Sequence, residues 1–395
     1  MKADIIYRGR VRTEQFPMNS YQLADLCDQM RCEFPFNVRI ERIFDWSIPN
    51  NSFTINSMED MQKLNLLIQQ LEHIDSVDEA KMFALINKFP ESDIDDLLYM
   101  TYGLDSVEIY PCSDADDLTE LALNNDWLPE FKGCPFEVYK YLDNERVANR
   151  VIELRSGCIF DGYYIEPDSY VRPDIEIEMP EPEKGFFRLM LMRTDSDGRP
   201  DHNRARWMTL PCSSERIGEI EKWLGCNIEN AFCYDKQSAL PKLSRYQIGV
   251  EKIYELNDLA HKLSELSHFE FIKLKAVMEH YDIKIISDTN RAVEHLLEFS
   301  FDPMSMDASV FGKAYLFNNL PIGFDTEIFS TADMEDFGRS ILSAKGGGMT
   351  SYGAVSGRGQ SLFAPVAKQP DEEETEDIED DESEDEAEGL EAVLT

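Results

Sequence analysis

Residues 58–89 and 250–281 run parallel at a constant spacing of 192 without gaps, and seven of the 32 positions are identical. The identities include Leu64/Leu256, Asn65/Asn257, Leu67/Leu259, Leu71/Leu263, Lys81/Lys273 and Ala84/Ala276. Two amphipathic helices agree by chance often enough, but here the spacing persists outside the helices. Pro49 and Pro241 keep it, and so do residues 109–111 (IYP) and 301–303 (FDP). Asn124-Asn125 meets Asn318-Asn319 after a small insertion, and residues 16–26 line up with 210–220. Self-similarity at a long period means one unit folded twice. The expected organisation is a first unit over 1–170, a linker over 171–184, a second unit over 185–360 and an acidic tail over 361–395.

Each copy reads the same way. It opens with strands (residues 5–13; 187–194 and 205–211) and a short helix (20–30; 214–225). A helical middle follows, with Met61, Leu64, Ile68 and Leu71 on one face in the first copy. Ile253, Leu256, Leu259, Leu263 and Leu266 form that face in the second. Recurrence every three to four residues is the amphipathic-helix signature. Ser57 is placed to cap its helix, with Asp60 three residues on. Each copy closes with a helix and a strand (147–165; 336–355). The fold class is therefore α+β: two tandem elongated units, each with small antiparallel sheets flanking a helical middle. In the linker, Asp174, Glu176 and Glu178 alternate with Ile175 and Ile177, a period of two that puts the acids on one face of a strand.

The 43% hydrophobic content is ample for real cores, and no run of about 20 apolar residues occurs to span a membrane. The N-terminal residues carry no apolar signal core. The eight cysteines are scattered without a CxxC pair, and the six histidines lie at no zinc spacing near them. Reduced thiols, no structural metal, no cofactor and a cytoplasmic location are the expectation.

Enzyme signatures are weak. Residues 346–353 (GGGMTSYG) are glycine-rich but lack the order of a phosphate loop, and read as a turn between helix and strand. Residues 356–359 (SGRG) read as a loop, and His261 and His268 as surface residues. No nucleophile elbow, zinc-protease or calcium-loop pattern is present. The reading is a protein that is not an enzyme.

Charge dominates what remains. The chain holds 77 acids against 38 Lys and Arg, a formal net charge of −39. Residues 368–395 supply 15 of the acids and one lysine, which leaves 62 acids and 37 bases, or −25, in the body. The tail has too little apolar surface to offset chain entropy and is expected to be disordered. The body's excess fits either solubility or an acidic face for a basic partner. Clusters stand at Asp93, Asp95 and Asp96; at Asp114, Asp116, Asp117 and Glu120; and at Asp325, Glu327, Asp333, Glu335 and Asp336. Capping explains part of this, with Ser113 as the expected cap and acids in the first turn favoured by the helix dipole. Carboxylates about 5.4 Å apart on a helix or about 6.6 Å apart on a strand also form charged rows like those of a duplex phosphate backbone.

The repeat resembles the ArdA antirestriction family of conjugative elements and phages. The likeness is carried by residues 55–72 (INSMEDMQKLNLLIQQLE), 141–165 (YLDNERVANRVIELRSGCIFDGYYI), 255–266 (ELNDLAHKLSEL) and 334–359 (MEDFGRSILSAKGGGMTSYGAVSGRG). It covers most of residues 1–360. The resemblance implies an elongated α/β unit that mimics bent duplex DNA and inhibits type I restriction–modification enzymes, usually as a homodimer. The implied partner is a DNA-binding protein such as a type I methyltransferase or restriction complex, with no direct binding to nucleic acid. Two fused units imply a monomeric pseudo-dimer or a homodimer. The sequence departs from the pattern at Ala148-Asn149-Arg150, where the second copy has Gly338-Arg339. The alternative reading is an acidic inhibitor of another defence system or of another basic partner.

Overall fold

Alternation between buried and exposed side chains makes Lys2–Tyr7 a strand, with Ala3, Ile5 and Tyr7 turned inward. The computed structural model describes residues 1–7, 10–30, 38–43, 53–179, 184–194, 199–321, 326–357 and 359–363. Strands β1 (Lys2–Tyr7), β2 (Arg10–Gln15), β3 (Val38–Ile43) and β4 (Phe53–Ile55) form an antiparallel sheet in the order β2-β1-β3-β4, with α1 (Ser20–Met30) between β2 and β3. Three helices follow: α2 (Met58–Leu71), α3 (Ser76–Lys88) and α4 (Ile94–Gly103). A second antiparallel sheet, β5-β7-β6, closes this half. It is built from β5 (Glu108–Pro111), β6 (Cys158–Phe160) and β7 (Tyr163–Glu166). Helices α5 (Ala115–Asn124), α6 (Phe136–Tyr139) and α7 (Asn144–Arg155) lie between β5 and β6 in the chain.

The remaining elements come in much the same order. Strands β8 (Phe187–Thr194), β9 (Pro200–Leu210) and β10 (Phe232–Ser238) form a sheet ordered β10-β8-β9, with α8 (Ser214–Leu224) in the connection. Helices α9 (Ile253–Ser264), α10 (His268–His280) and α11 (Ile286–Glu294) come next. The last sheet, β11-β13-β12, uses β11 (Ser300–Asp302), β12 (Gly348–Thr350) and β13 (Gly353–Ser356). Helices α12 (Ala308–Asn319) and α13 (Met334–Ala344) separate β11 from β12, and α14 (Gly359–Phe363) ends the described chain. The paired asparagines do the same job in both halves. Asn65 bonds the backbone N–H and C=O of Met18 at 2.6 and 2.8 Å. Asn257 bonds those of Cys212 at 2.9 and 3.0 Å.

Packing differs between the halves. The first has one core under sheet β1–β4 and α1–α4, and a separate one around Leu118, Val151 and Tyr164. Among the described residues the second has a single core running from Phe187 to Val355. Leu362 and Phe363 pack against it, so these two residues, expected within the tail, belong to the folded body.

The halves touch through a buried ionic cluster. The Lys275 ammonium of α10 is 2% exposed and donates to Asp25 at 2.8 Å and to Asp28 at 2.7 Å, both on α1. Tyr352, at the β12–β13 turn, donates to Asp25 at 2.7 Å, and Gln29 donates to the other Asp25 oxygen at 2.6 Å. Burial and the Asp25 charge push the Tyr352 phenol far above its ordinary value.

Three local expectations need correction. Each half's closing helix leads into a two-stranded hairpin, where a single strand was expected. In the first half its turn is Asp161-Gly162 at φ +49° and +80°, backbone that suits an Asp-Gly pair. The glycine-rich run is more than a turn, because Gly348 starts β12. Residues 174–178 form no strand. The Ile175 carbonyl accepts from the Tyr99 hydroxyl at 3.2 Å where a ladder would need a neighbouring strand. Ile177 and Met179 still pack on the first core, while Asp174, Glu176 and Glu178 stay exposed together with Ile175.

Candidate acidic interaction surface

Short helices need their first N–H groups satisfied, and aspartate does this well. Asp93 caps α4 by accepting from the Asp96 N–H at 2.9 Å. Asp114 caps α5, accepting from the N–H groups of Asp116 and Asp117 at 2.9 and 3.0 Å. Asp114 thus takes the role expected of Ser113, whose own N–H donates to Asp117 at 2.8 Å. Asp333 caps α13 through the N–H groups of Glu335 and Asp336. Asp75, Asp143 and Asp307 cap α3, α7 and α12. The aspartates therefore have a structural reason to stand where they do.

Some of the candidate acids are neutralised. Lys63 lies 2.9 Å from Asp95. Burial pulls Lys63 down, but Asp95 and Glu59 more than reverse this and hold its ammonium above the ordinary lysine value. Arg172 meets Asp96 at 2.6 Å and lies 4.0 Å over the Tyr99 ring. Glu335 pairs with Arg339 within α13. Asn144 donates to Asp116 at 2.8 Å. Glu120, Asp174, Glu176, Glu178 and Asp336 are exposed, and their carboxylates have no hydrogen-bond or ion-pair partner among the described residues. Glu327 lies exposed on a 3₁₀ turn, Thr326–Phe329. Asp325 lies outside the described residues.

The acids are unevenly spread between the halves, which neither the body's sum nor the separate clusters displayed. Residues 91–178 hold 22 Asp and Glu against six Lys and Arg. Residues 283–360, the matching stretch of the second half, hold ten against six. The excess belongs to α4, the β5–β7 region and the segment that follows it. A count along a sliding window would have found it.

No group of His, Cys, Asp and Glu among the described residues is arranged to hold a metal. Burial raises the thiols of Cys112, Cys158 and Cys212, and pushes Cys233 up to about 11, which disfavours the reactive thiolate. No helix among the described residues is long and apolar enough to cross a membrane.

No known protein-family profile matches the chain, and no curated protein matches it.

Proposed function

We propose that this protein is a non-enzymatic mimic of duplex DNA that occupies the DNA-binding groove of a type I restriction–modification enzyme, as the resemblance to ArdA implies. The observation that carries the reading is the exposed surplus of carboxylates over residues 91–178, held at helix starts and along a segment packed on the core. Rigidly held charge keeps a register that charge on an unfolded chain does not. Association with a groove lined by Lys and Arg then gains from steering and counterion release. We further propose that the two halves are tandem copies of one ancestral unit, on the shared element order, sheet order and asparagine clamps.

Asparagine caps a helix about as well as aspartate. Replacing Asp93 and Asp114 by Asn therefore removes charge with little effect on folding. Adding Glu120→Gln, Glu176→Gln and Glu178→Gln removes exposed acids. The expected result is a variant of unchanged thermal stability that no longer competes with DNA for a type I methyltransferase. For the native protein, competition should weaken steeply with salt, since 6–10 phosphate-like contacts lose about 10³–10⁵-fold in affinity between 50 and 200 mM. Full inhibition by the charge-reduced variant, or a salt-independent inhibition constant, would overturn the mechanism. Inhibition of a different basic partner by the native protein alone would favour the broader reading of an acidic interaction protein.

A further inference from the structure

Helix α5 and helix α12 occupy matching places but end differently. In the first half, the chain leaves α5 through Asp126 at φ +53°, and the Trp127 N–H reaches back to the Ala122 carbonyl at 3.0 Å. This is a Schellman turn, in which the residue after the left-handed position folds an apolar side chain back on the helix. Trp127 supplies that side chain. Its ring lies 5.0 Å from Tyr110 and 5.6 Å from Tyr164, with the Arg155 guanidinium 4.4 Å above it. In the second half, Asn318-Asn319-Leu320-Pro321 stands against Asn124-Asn125-Asp126-Trp127-Leu128-Pro129, so the Asp-Trp pair is missing. Leu320 continues directly from α12 in extended backbone, at φ −86° and ψ +145°.

A groove of about 760 Å³ opens beside α12 in this half, lined by Asp302, Phe311, Ala314, Tyr315 and Lys345 among others. Asp302 stands where the other half has Tyr110, one residue after Phe301, the counterpart of Ile109. Lys345 takes the place of Arg155 just before the closing hairpin, and its ammonium lies 4.4 Å from the centroid of the Tyr315 ring. One half thus carries a tryptophan under a cation, and the other carries the cation, aromatic walls and open space.

We propose that this groove binds an aromatic side chain, tryptophan first, presented by a partner protein. A flat ring entering beside Tyr315 meets an aromatic wall and the Lys345 ammonium, the two interactions that hold Trp127. The Asn318 side chain at the groove offers an acceptor for an indole N–H, which needs one when buried, while the Asp302 oxygens already accept from the Met304 N–H and the Ser305 hydroxyl. The site is independent of the acidic surface and of the enzyme that surface serves.

The test uses the full chain and N-acetyl-L-tryptophanamide as the probe, followed by NMR. Saturable shifts at Ala314, Tyr315 and Lys345 are expected, with N-acetyl-leucinamide about tenfold weaker. Two variants fill the groove: Asp-Trp inserted between Asn319 and Leu320, and Ala314→Trp. Each that keeps the native spectral fingerprint should bind the probe about tenfold more weakly or not at all. Either folded variant suffices for the comparison. The absence of saturable shifts in the native chain, equal binding of the leucine analogue, or undiminished binding by a folded filled variant would overturn the proposal.

Discussion

Lys275 is a single cation held between two carboxylates from another part of the chain, with almost no contact with water. Removing one partner of a buried ion pair leaves the other desolvated and unpaired, which costs about 3–5 kcal/mol. Lys275→Met should therefore lower unfolding free energy in urea by that order. Combining it with Asp25→Leu, Asp28→Leu and Tyr352→Phe, which also removes the hydroxyl that Asp25 accepts from, should recover much of the loss, because an apolar cluster of similar volume needs no compensation. His280 gives a residue-scale dependence on pH. Burial against Gly348 and Tyr281 holds its pKa below the ordinary 6.5. The folded state therefore takes up the proton later than the unfolded chain does as pH falls. The contribution is present above the unfolded value and is lost as pH drops through the folded one. His280→Phe should flatten the fall in stability between about pH 7 and 5 in denaturant titrations. No reading of spacing alone would have paired Lys275 with Asp25 and Asp28, because 250 residues separate Asp25 from it.

At the scale of elements, α12 and α13 approach to backbone contact. A methyl group on Gly338 would stand 1.9 Å from the Ala308 carbonyl oxygen, and one on Gly312 would stand 2.5 Å from that of Met334. The first half has Thr119 and Ala148 near the same positions on α5 and α7, and Thr119 bonds the Asn144 carbonyl at 3.1 Å. Gly338→Ala should destabilise the second half by about 1–3 kcal/mol, the usual cost of overpacking, and lower the melting temperature. The departure at Ala148 that the sequence displayed is therefore a difference in helix spacing. Helices were the most legible part of the chain. The span predicted from 20–30 is α1 itself, Ser57 caps α2, and the faces carrying Leu64 and Leu256 are buried. The closing hairpins were harder to read. Short strands such as Cys158–Phe160 leave little room for alternation, although Asp161-Gly162 marked the turn. The linker misled because its alternation arises from docking on α4 rather than from a sheet.

At the scale of the molecule, the net charge of −39 says nothing of where the acids lie. Partition along the chain depends on which stretches form exposed caps, as with Asp93 and Asp114, and a composition sum erases that. If the contact between the halves stands in for a homodimer, light scattering should give a mass near 45.5 kDa at working concentrations. A stable species of twice that mass would refute it. The contact made by Asp25, Asp28 and Lys275 also lacks a counterpart. On α8 the matching positions are Glu219 and Lys222, both exposed, and the residue matching Lys275 is Phe83, which stacks on Phe160 at 3.6 Å. A joint that runs one way only, from the first helix of one copy to the middle helix of the next, is the geometry from which endless fibres grow. On the duplication reading, two identical copies would each offer one docking knob and one socket, and chains would thread together without limit. Phe83 stands where that joint would need a lysine and Lys222 where it would need an aspartate, so on that reading the spare socket and the spare knob are missing and growth would end after one joint.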